Sequence, residues 1–167
     1  MERQSTIRAQ EGSLSEITQL EGHVVIAGFG RVGRTVAQIL EAEAVPYLAL
    51  DTDPIFVAQA RQDKLPVFYG DATRLEMLNR THIEKALGIV ITIDSAVAAE
   101  KIIKEIRLTW PLVPIYARAR DGAHAARLTQ AGATLAVPET IEASLQLAGR
   151  VLHGSGVVDP PTRRCAV

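Results

Sequence analysis

Three glycines, Gly28, Gly30 and Gly33, stand between an apolar run, His23 to Ala27, and a helical pattern that starts near Arg31. About 20 residues further on, a second apolar run ends at Asp51, which completes the order strand, glycine turn, helix, strand, acidic residue. That order is the βαβ unit that binds dinucleotides, and it limits the fold more than any other feature of the chain. Gly28 permits the tight turn, Gly30 lets the backbone approach a pyrophosphate, and Gly33 brings the helix close to the strand. The helix N-terminus then presents free N–H groups, here of Arg31, Val32 and Gly33, and the positive end of its dipole to a phosphate. Arg31 is placed to close over that phosphate, or else is a solvated first-turn residue. Asp51 stands where a carboxylate would accept from the adenosine ribose hydroxyls and repel a 2′-phosphate, which favours NAD or an adenosine nucleotide over NADP. Asp53 competes for that role but is better placed to cap a helix beginning at Pro54.

The rest of the chain repeats the alternation. Expected strands are 24–27, 47–50, 67–69, 89–93, 113–117 and 134–137. Expected helices run from Arg31 to Glu43 with Val32, Val36, Ile39 and Leu40 on one face, from Pro54 to about Lys64, and through Leu75, Met77 and Leu78. Three more run from Ser95 to Thr109, from Asp121 to Gly132, and from Glu139 to His153. Helical connections make the sheet parallel with right-handed crossovers. The fold class is therefore α/β, a Rossmann-like doubly wound six-stranded sheet in the order 3-2-1-4-5-6. Ligand binds outside the carboxyl ends of strands 1 and 4, where the winding reverses. Asp71 and Thr73 follow strand 3 at that end, as a helix cap, a wall of the adenine pocket, or both. Asp94 and Ser95 follow strand 4, with Ser95 a cap. Arg118 ends strand 5 beside the crevice, where a cation could meet a phosphate, and Arg120 lies two residues on, in strand or loop.

Composition narrows the function. In 167 residues, 47% are apolar and only 4% aromatic, so the core is aliphatic, as a sheet buried on both faces requires. The net charge is −1 with no basic stripe, which argues against a nucleic-acid partner. Cys165 is the one cysteine, so no internal disulfide forms and the chain reads as cytosolic. No run is long enough to span a bilayer. His23, His82, His124 and His153 are scattered without ligand spacing, so no metal site is expected. Lys101, Lys104 and Arg107 read as the solvated face of a helix. Residues 1–21 read as a linker or short helix, 22–153 as the domain, and 154–167 as a flexible tail. The sheet consumes the chain to Val137, which leaves no substrate domain. Tyr47, Tyr69 and Tyr116 lie in strands without a lysine four residues on, so hydride-transfer machinery is not evident and the ligand is read as sensed, not consumed. The last helix carries an apolar stripe, Ile141, Leu145, Ala148 and Leu152, widened by Leu147 and Val151. That is more than one sheet contact needs and predicts a homodimer, the alternative being that the helix packs on its own sheet.

GFGRVG at 28–33, LDTDP at 50–54, VFYGDATRLEML at 67–78 and IYARARDGAHAARLTQAGA at 115–133 together resemble the RCK (KTN, or TrkA-N) domain. The likeness covers about residues 22 to 153 and is greatest to the cytoplasmic C-terminal domain of Kef-type potassium/proton antiporters. The resemblance implies a regulatory domain that dimerises beneath a cation channel or antiporter at the inner face of the membrane, binds NAD(H) or an adenine nucleotide such as AMP or ATP, and gates transport. It also implies nucleotide contacts at Gly28, Gly30, Arg31, Val32, Asp51, Thr52, Asp71, Ala72, Thr73 and Arg118. In Kef systems glutathione and its adducts bind near the dimer interface. With no membrane domain and no second lobe in this sequence, the expectation is an excised fragment or a separate subunit. The alternatives are a small NAD-dependent oxidoreductase and a Rossmann-type redox sensor.

Overall fold

The computed structural model describes residues 20–154. Residues 1–19, expected as a linker or short helix, and 155–167, expected as a flexible tail, lie outside them. Six parallel strands form one sheet in the order β3-β2-β1-β4-β5-β6, as the alternation predicts. The strands are β1 Val24–Ala27, β2 Tyr47–Asp51, β3 Val67–Tyr69, β4 Gly88–Ile91, β5 Ile115–Ala119 and β6 Leu135–Pro138. The helices are α1 Arg31–Ala42, α2 Pro54–Gln62, α3 Leu75–Asn79, α4 Ala96–Thr109, α5 Gly122–Ala131 and α6 Glu139–Gly154. A short 3-10 turn, Ile83–Lys85, precedes β4 and has no counterpart in the expected elements.

Two strand boundaries differ from expectation by two residues, in opposite directions. β4 starts at Gly88 and ends at Ile91, where its partner β1 ends and turns at Gly28; the Thr92 amide still donates to the Ala27 carbonyl at 2.9 Å and its hydroxyl to the Gly28 carbonyl at 2.7 Å. β5 starts at Ile115, after the Pro111–Pro114 turn, and runs to Ala119, so Arg118 lies inside the strand. Its register with β6 pairs Arg118 with Val137. Helix ends are set by local chemistry. Asp53 caps α2 by accepting from the Ile55 and Phe56 amides, Ser95 caps α4, Asp121 caps α5, and Gly132 ends α5 at φ 117°. Of the expected apolar face of α1, Val36 and Leu40 pack against the core and Ile39 does not. Gly33 and Ala37 are buried, whereas Ile39 is 59% exposed.

The core has two parts. One, built on Ile26, Phe29, Ala49, Val57 and Val67, seals α1 and α2 against β1–β3. The other, built on Val25, Ile89, Ile91, Ile102, Ile103, Ile106, Ile115 and Leu128, seals the opposite face under α4 and α5. Arg107, expected on a solvated face, is instead a clamp. Its guanidinium donates to the Pro111, Val113 and Gly132 carbonyls at 2.5–3.0 Å, tying the end of α4 to the end of α5. On the face shared with α1 and α2, the β5–β6 half is open among the described residues: Tyr116, Leu135 and Val137 are 41–53% exposed. Ile141, Leu145, Leu147 and Val151 are 54–69% exposed, and Ala148 is exposed too. The alternative in which α6 packs wholly on its own sheet is therefore not what the structure shows. The Leu152 side chain falls outside the described residues.

Candidate functional site

The strands carry their carboxyl ends to one edge, and the switch in winding between β1 and β4 leaves a crevice there of about 660 Å³. Gly28, Gly30, Arg31, Val32, Asp51, Thr52, Asp71, Ala72, Thr73 and Arg118 all line it. Residues from three separate turns and from strand β5 thus converge where the sequence places the ligand. Gly33 does not reach the crevice. It lies beneath the loop, where a Cβ would stand 2.2 Å from the Gly28 carbonyl oxygen, so its role is close packing.

The three glycines are glycine for different reasons. Gly28 has φ 99°, a conformation L side chains rarely adopt, and a Cβ there would also press on the Thr92 hydroxyl. Gly33 is excluded from bearing a side chain by the backbone above it. Gly30 has an ordinary extended backbone, φ −71° and ψ −160°, and a Cβ there would meet nothing within 4 Å. Neither conformation nor protein packing requires glycine at 30. The open cradle in front of it does fit a phosphate, which needs close access to backbone N–H groups. Gly30 is also the N-cap of α1 and supplies no side-chain acceptor to the first turn.

Asp51 is held before any ligand arrives. Its Oδ2 accepts from the Phe29 amide at 2.8 Å and its Oδ1 from the Asp53 amide at 2.9 Å. The carboxylate therefore fixes the glycine loop to the end of β2, and the remaining lone pairs of both oxygens stay available for ribose hydroxyls. Asp71 does not cap a helix. Its Oδ1 accepts from the amide and hydroxyl of Thr73 at 2.9 and 2.6 Å, closing a turn that holds Ala72 and Thr73 in the crevice wall. The residue at the cap position of α3 is Arg74, which makes no side-chain cap.

On the other side of the switch point, Arg118 is engaged by acids. Its Nη2 donates to Asp94 and its Nη1 to Glu139, the first residue of α6. Burial alone would lower the guanidinium pKa, and the two acidic partners outweigh it, so the group is held above its ordinary value. Arg118, Asp94 and Glu139 also line a smaller hollow with Arg120 and His124. Arg120 is exposed past the end of β5, with its amide donating to His124 Nδ1 at 3.0 Å. Glu139 is the residue the sequence reading missed. Its position directly after the last strand, at the carboxyl edge of the sheet, is the signal that could have found it. Leu50, Gly70, Thr92 and Ile93 also line the crevice, and Asp94 joins them as its position after strand 4 suggested. Among the described residues no cluster of three or more His, Cys, Asp or Glu could hold a metal ion, and no helix is long and apolar enough to cross a membrane.

A parallel sheet in this order with a glycine turn at the switch point defines a Rossmann-like domain. A family model for the TrkA-N domain matches residues 24–139, and the chain belongs to that family. It is 44% identical over 145 residues to a protein of Alkalimonas amylolytica named K(+) efflux antiporter KefB, covering 87% of this chain and 22% of that protein. It is 34% identical over 157 residues to the glutathione-regulated potassium-efflux system protein KefC of Cronobacter sakazakii, covering 94% of this chain and 25% of that one. The chain thus spans a quarter or less of the length of these relatives. Among solved structures it is similar to the Shewanella denitrificans Kef CTD in AMP-bound form, with a TM-score of 0.69, 32% identity, and 81% of this chain and 82% of that one covered. None of these three is an oxidoreductase by name.

Proposed function

We propose that this chain is a regulatory nucleotide-binding domain controlling a potassium or cation antiporter or channel, at the cytoplasmic face of the membrane, without catalytic activity of its own. The observation that carries the nucleotide reading is Gly30. It is a glycine that neither the backbone nor the packing requires, facing a cradle at a helix N-terminus, with Asp51 set for a ribose across the same crevice. The ligand class is NAD(H) or an adenine nucleotide such as AMP; the AMP-bound Kef relative supports the second member of that pair. Gly28, Gly30, Arg31 and Val32 would surround phosphate, Asp51 and Thr52 ribose, and Asp71, Ala72 and Thr73 the base. Arg118 would contribute from the opposite wall.

The same reading makes the domain a homodimer. The β5–β6 face, open among the described residues, and the apolar side chains of α6 are surface that a lone domain leaves in water, and a transport gate needs two lobes that move against each other. Two experiments test it. Mass spectrometry of ligand released from purified protein should find an adenine nucleotide. Calorimetry with AMP, NADH and NADPH should then find binding that Gly30→Val abolishes without unfolding the sheet. Equal affinity of the wild type and Gly30→Val for every adenine nucleotide would overturn the site.

A further inference from the structure

Arg118 lines the crevice and also bonds to Glu139 at the root of α6. It lines the large crevice with the glycine loop and the small hollow with Glu139, and its side chain is only 19% exposed. Both terminal nitrogens are taken, one by Asp94 and one by Glu139. The two acids are not equivalent. The Asp94 side chain is 97% exposed, in a loop where water can replace its partner at little cost. The Glu139 side chain is 33% exposed and follows Pro138 with no intervening loop, so what holds Glu139 holds the start of α6. Beyond that point the apolar side chains of Ile141, Leu145 and Leu147 are exposed.

We propose that Asp94, Arg118 and Glu139 form a latch that reads ligand charge: a phosphate in the crevice takes the Arg118 guanidinium from Glu139 and releases the root of α6. The inference rests on the reading that the crevice takes a nucleotide. The exchange is between like chemistries. A guanidinium fork pairs with phosphate as it does with carboxylate, and a phosphate monoester brings more charge and more acceptor oxygens than either acid. Glu139 and the incoming phosphate also repel each other, so binding and latching oppose one another. By linkage the effect runs both ways: whatever seats α6 away from Arg118, a second copy of this chain included, raises the affinity for phosphorylated ligand by the same factor that the ligand favours release. Adenosine, with the ribose and base contacts but no phosphate, leaves the latch closed.

Hydrogen exchange of the intact chain tests this directly. In the wild type, AMP should raise the exchange of peptides covering α6, and adenosine at saturation should not. Glu139→Gln should show the raised exchange without ligand, gain nothing more from AMP, and bind AMP about two- to fivefold more tightly, the range for losing one competing surface pair, with adenosine affinity unchanged. Asp94→Asn, which touches Arg118 and not α6, should tighten AMP while leaving α6 exchange in the free protein as in the wild type. If AMP binds but α6 exchange responds equally to AMP and adenosine, or to neither, the latch is wrong while the nucleotide site stands. If neither AMP nor NADH binds the wild type, the nucleotide reading fails and the latch fails with it.

Discussion

The two sides of the switch point are built on different principles. On the β1–β3 side the crevice wall is backbone pinned by short hydrogen bonds from nearby side chains. The Phe29 and Asp53 amides fix Asp51, Thr92 fixes Gly28, the Asp71–Thr73 turn closes on itself, and α1 and α2 seal the sheet behind them. On the β4–β6 side the wall is side-chain charge, with Arg118 between Asp94 and Glu139. Behind it lie exposed apolar side chains of β5, β6 and α6, among them Tyr116, Leu135, Val137 and Leu145. Short hydrogen-bonded turns define a geometry in advance and resist change. Ion pairs with a solvated partner exchange easily and are screened by salt. The first side is suited to recognising a nucleoside and the second to responding to one.

The largest expected effect tests how rigid the first side is. Gly33→Ala places a Cβ 2.2 Å from the Gly28 carbonyl, a backbone atom with nowhere to go, and should cost about 3 kcal/mol of stability, the upper part of the overpacking range, or prevent folding. Gly30→Ala, three residues away, should change urea stability by less than about 1 kcal/mol, since only a cap preference is lost. Comparable losses in the two variants would mean that the loop is not preset as described.

Next comes Asp51. Asp51→Ala should weaken nucleotide binding by about 1.5–3 kcal/mol, the range for hydrogen bonds to a charged group. It should also lower stability, because two amides lose their acceptor. Asp53→Ala should cost about 1 kcal/mol of stability through its lost cap and leave affinity nearly unchanged. Calorimetry and urea titration on both separate the roles, and a reversal would assign the ribose to Asp53. Asp51→Asn should also discriminate less against NADP, its repulsive charge being gone.

The same contrast explains what could be read from the chain. The β1–β3 side follows from local pattern: a glycine turn, an acid closing a strand, a proline after a cap. The strand order follows from alternation and handedness together with the glycine turn after the first strand, which marks the dinucleotide-binding unit. The β4–β6 side depends on register, which periodicity does not set. The strongly β-branched run Ile89–Ile93 hid the end of β4 at Ile91, and the apolar Val113 hid a turn bracketed by Pro111 and Pro114. Arg107 looked like one of three surface cations because its acceptors, the Pro111, Val113 and Gly132 carbonyls, come together only in the fold. Glu139 was invisible as a ligand of Arg118 for the same reason, at a separation of 21 residues.

A substitution on the open side should act on association and not on the fold. Leu145 is 69% exposed, so Leu145→Asp costs the lone domain almost nothing. It places a charge on the α6 apolar face and should convert a sedimenting dimer to a monomer. The wild type running as a monomer at micromolar concentration, with and without AMP, would refute the dimer.

The smallest expected effect asks whether the closed side is also closed at its back, away from the crevice. His23, directly before β1, is fully buried, and its Nε2 lies 2.8 Å from the Thr81 carbonyl. A carbonyl only accepts, so Nε2 carries the proton and Nδ1 is bare, with no partner among the described residues. Protonating Nδ1 would put a charge in a buried site. Burial therefore lowers the pKa below the ordinary 6.5, His82 adds to that, and the Thr81 bond and Glu84 offset only part of it. Between 6.5 and the lower folded value the unfolded chain binds more protons, so stability rises with pH across that window. The contribution is fully present above about pH 6.5, shrinks as pH falls past it, and levels off below the folded value. Urea midpoints between pH 7.5 and 5 should show this fall in the wild type, and the fall should be smaller in His23→Gln, which keeps a donor for Thr81 but does not titrate. Equal falls in the two proteins would place the titrating group elsewhere and leave the back of β1 less sealed than its burial indicates.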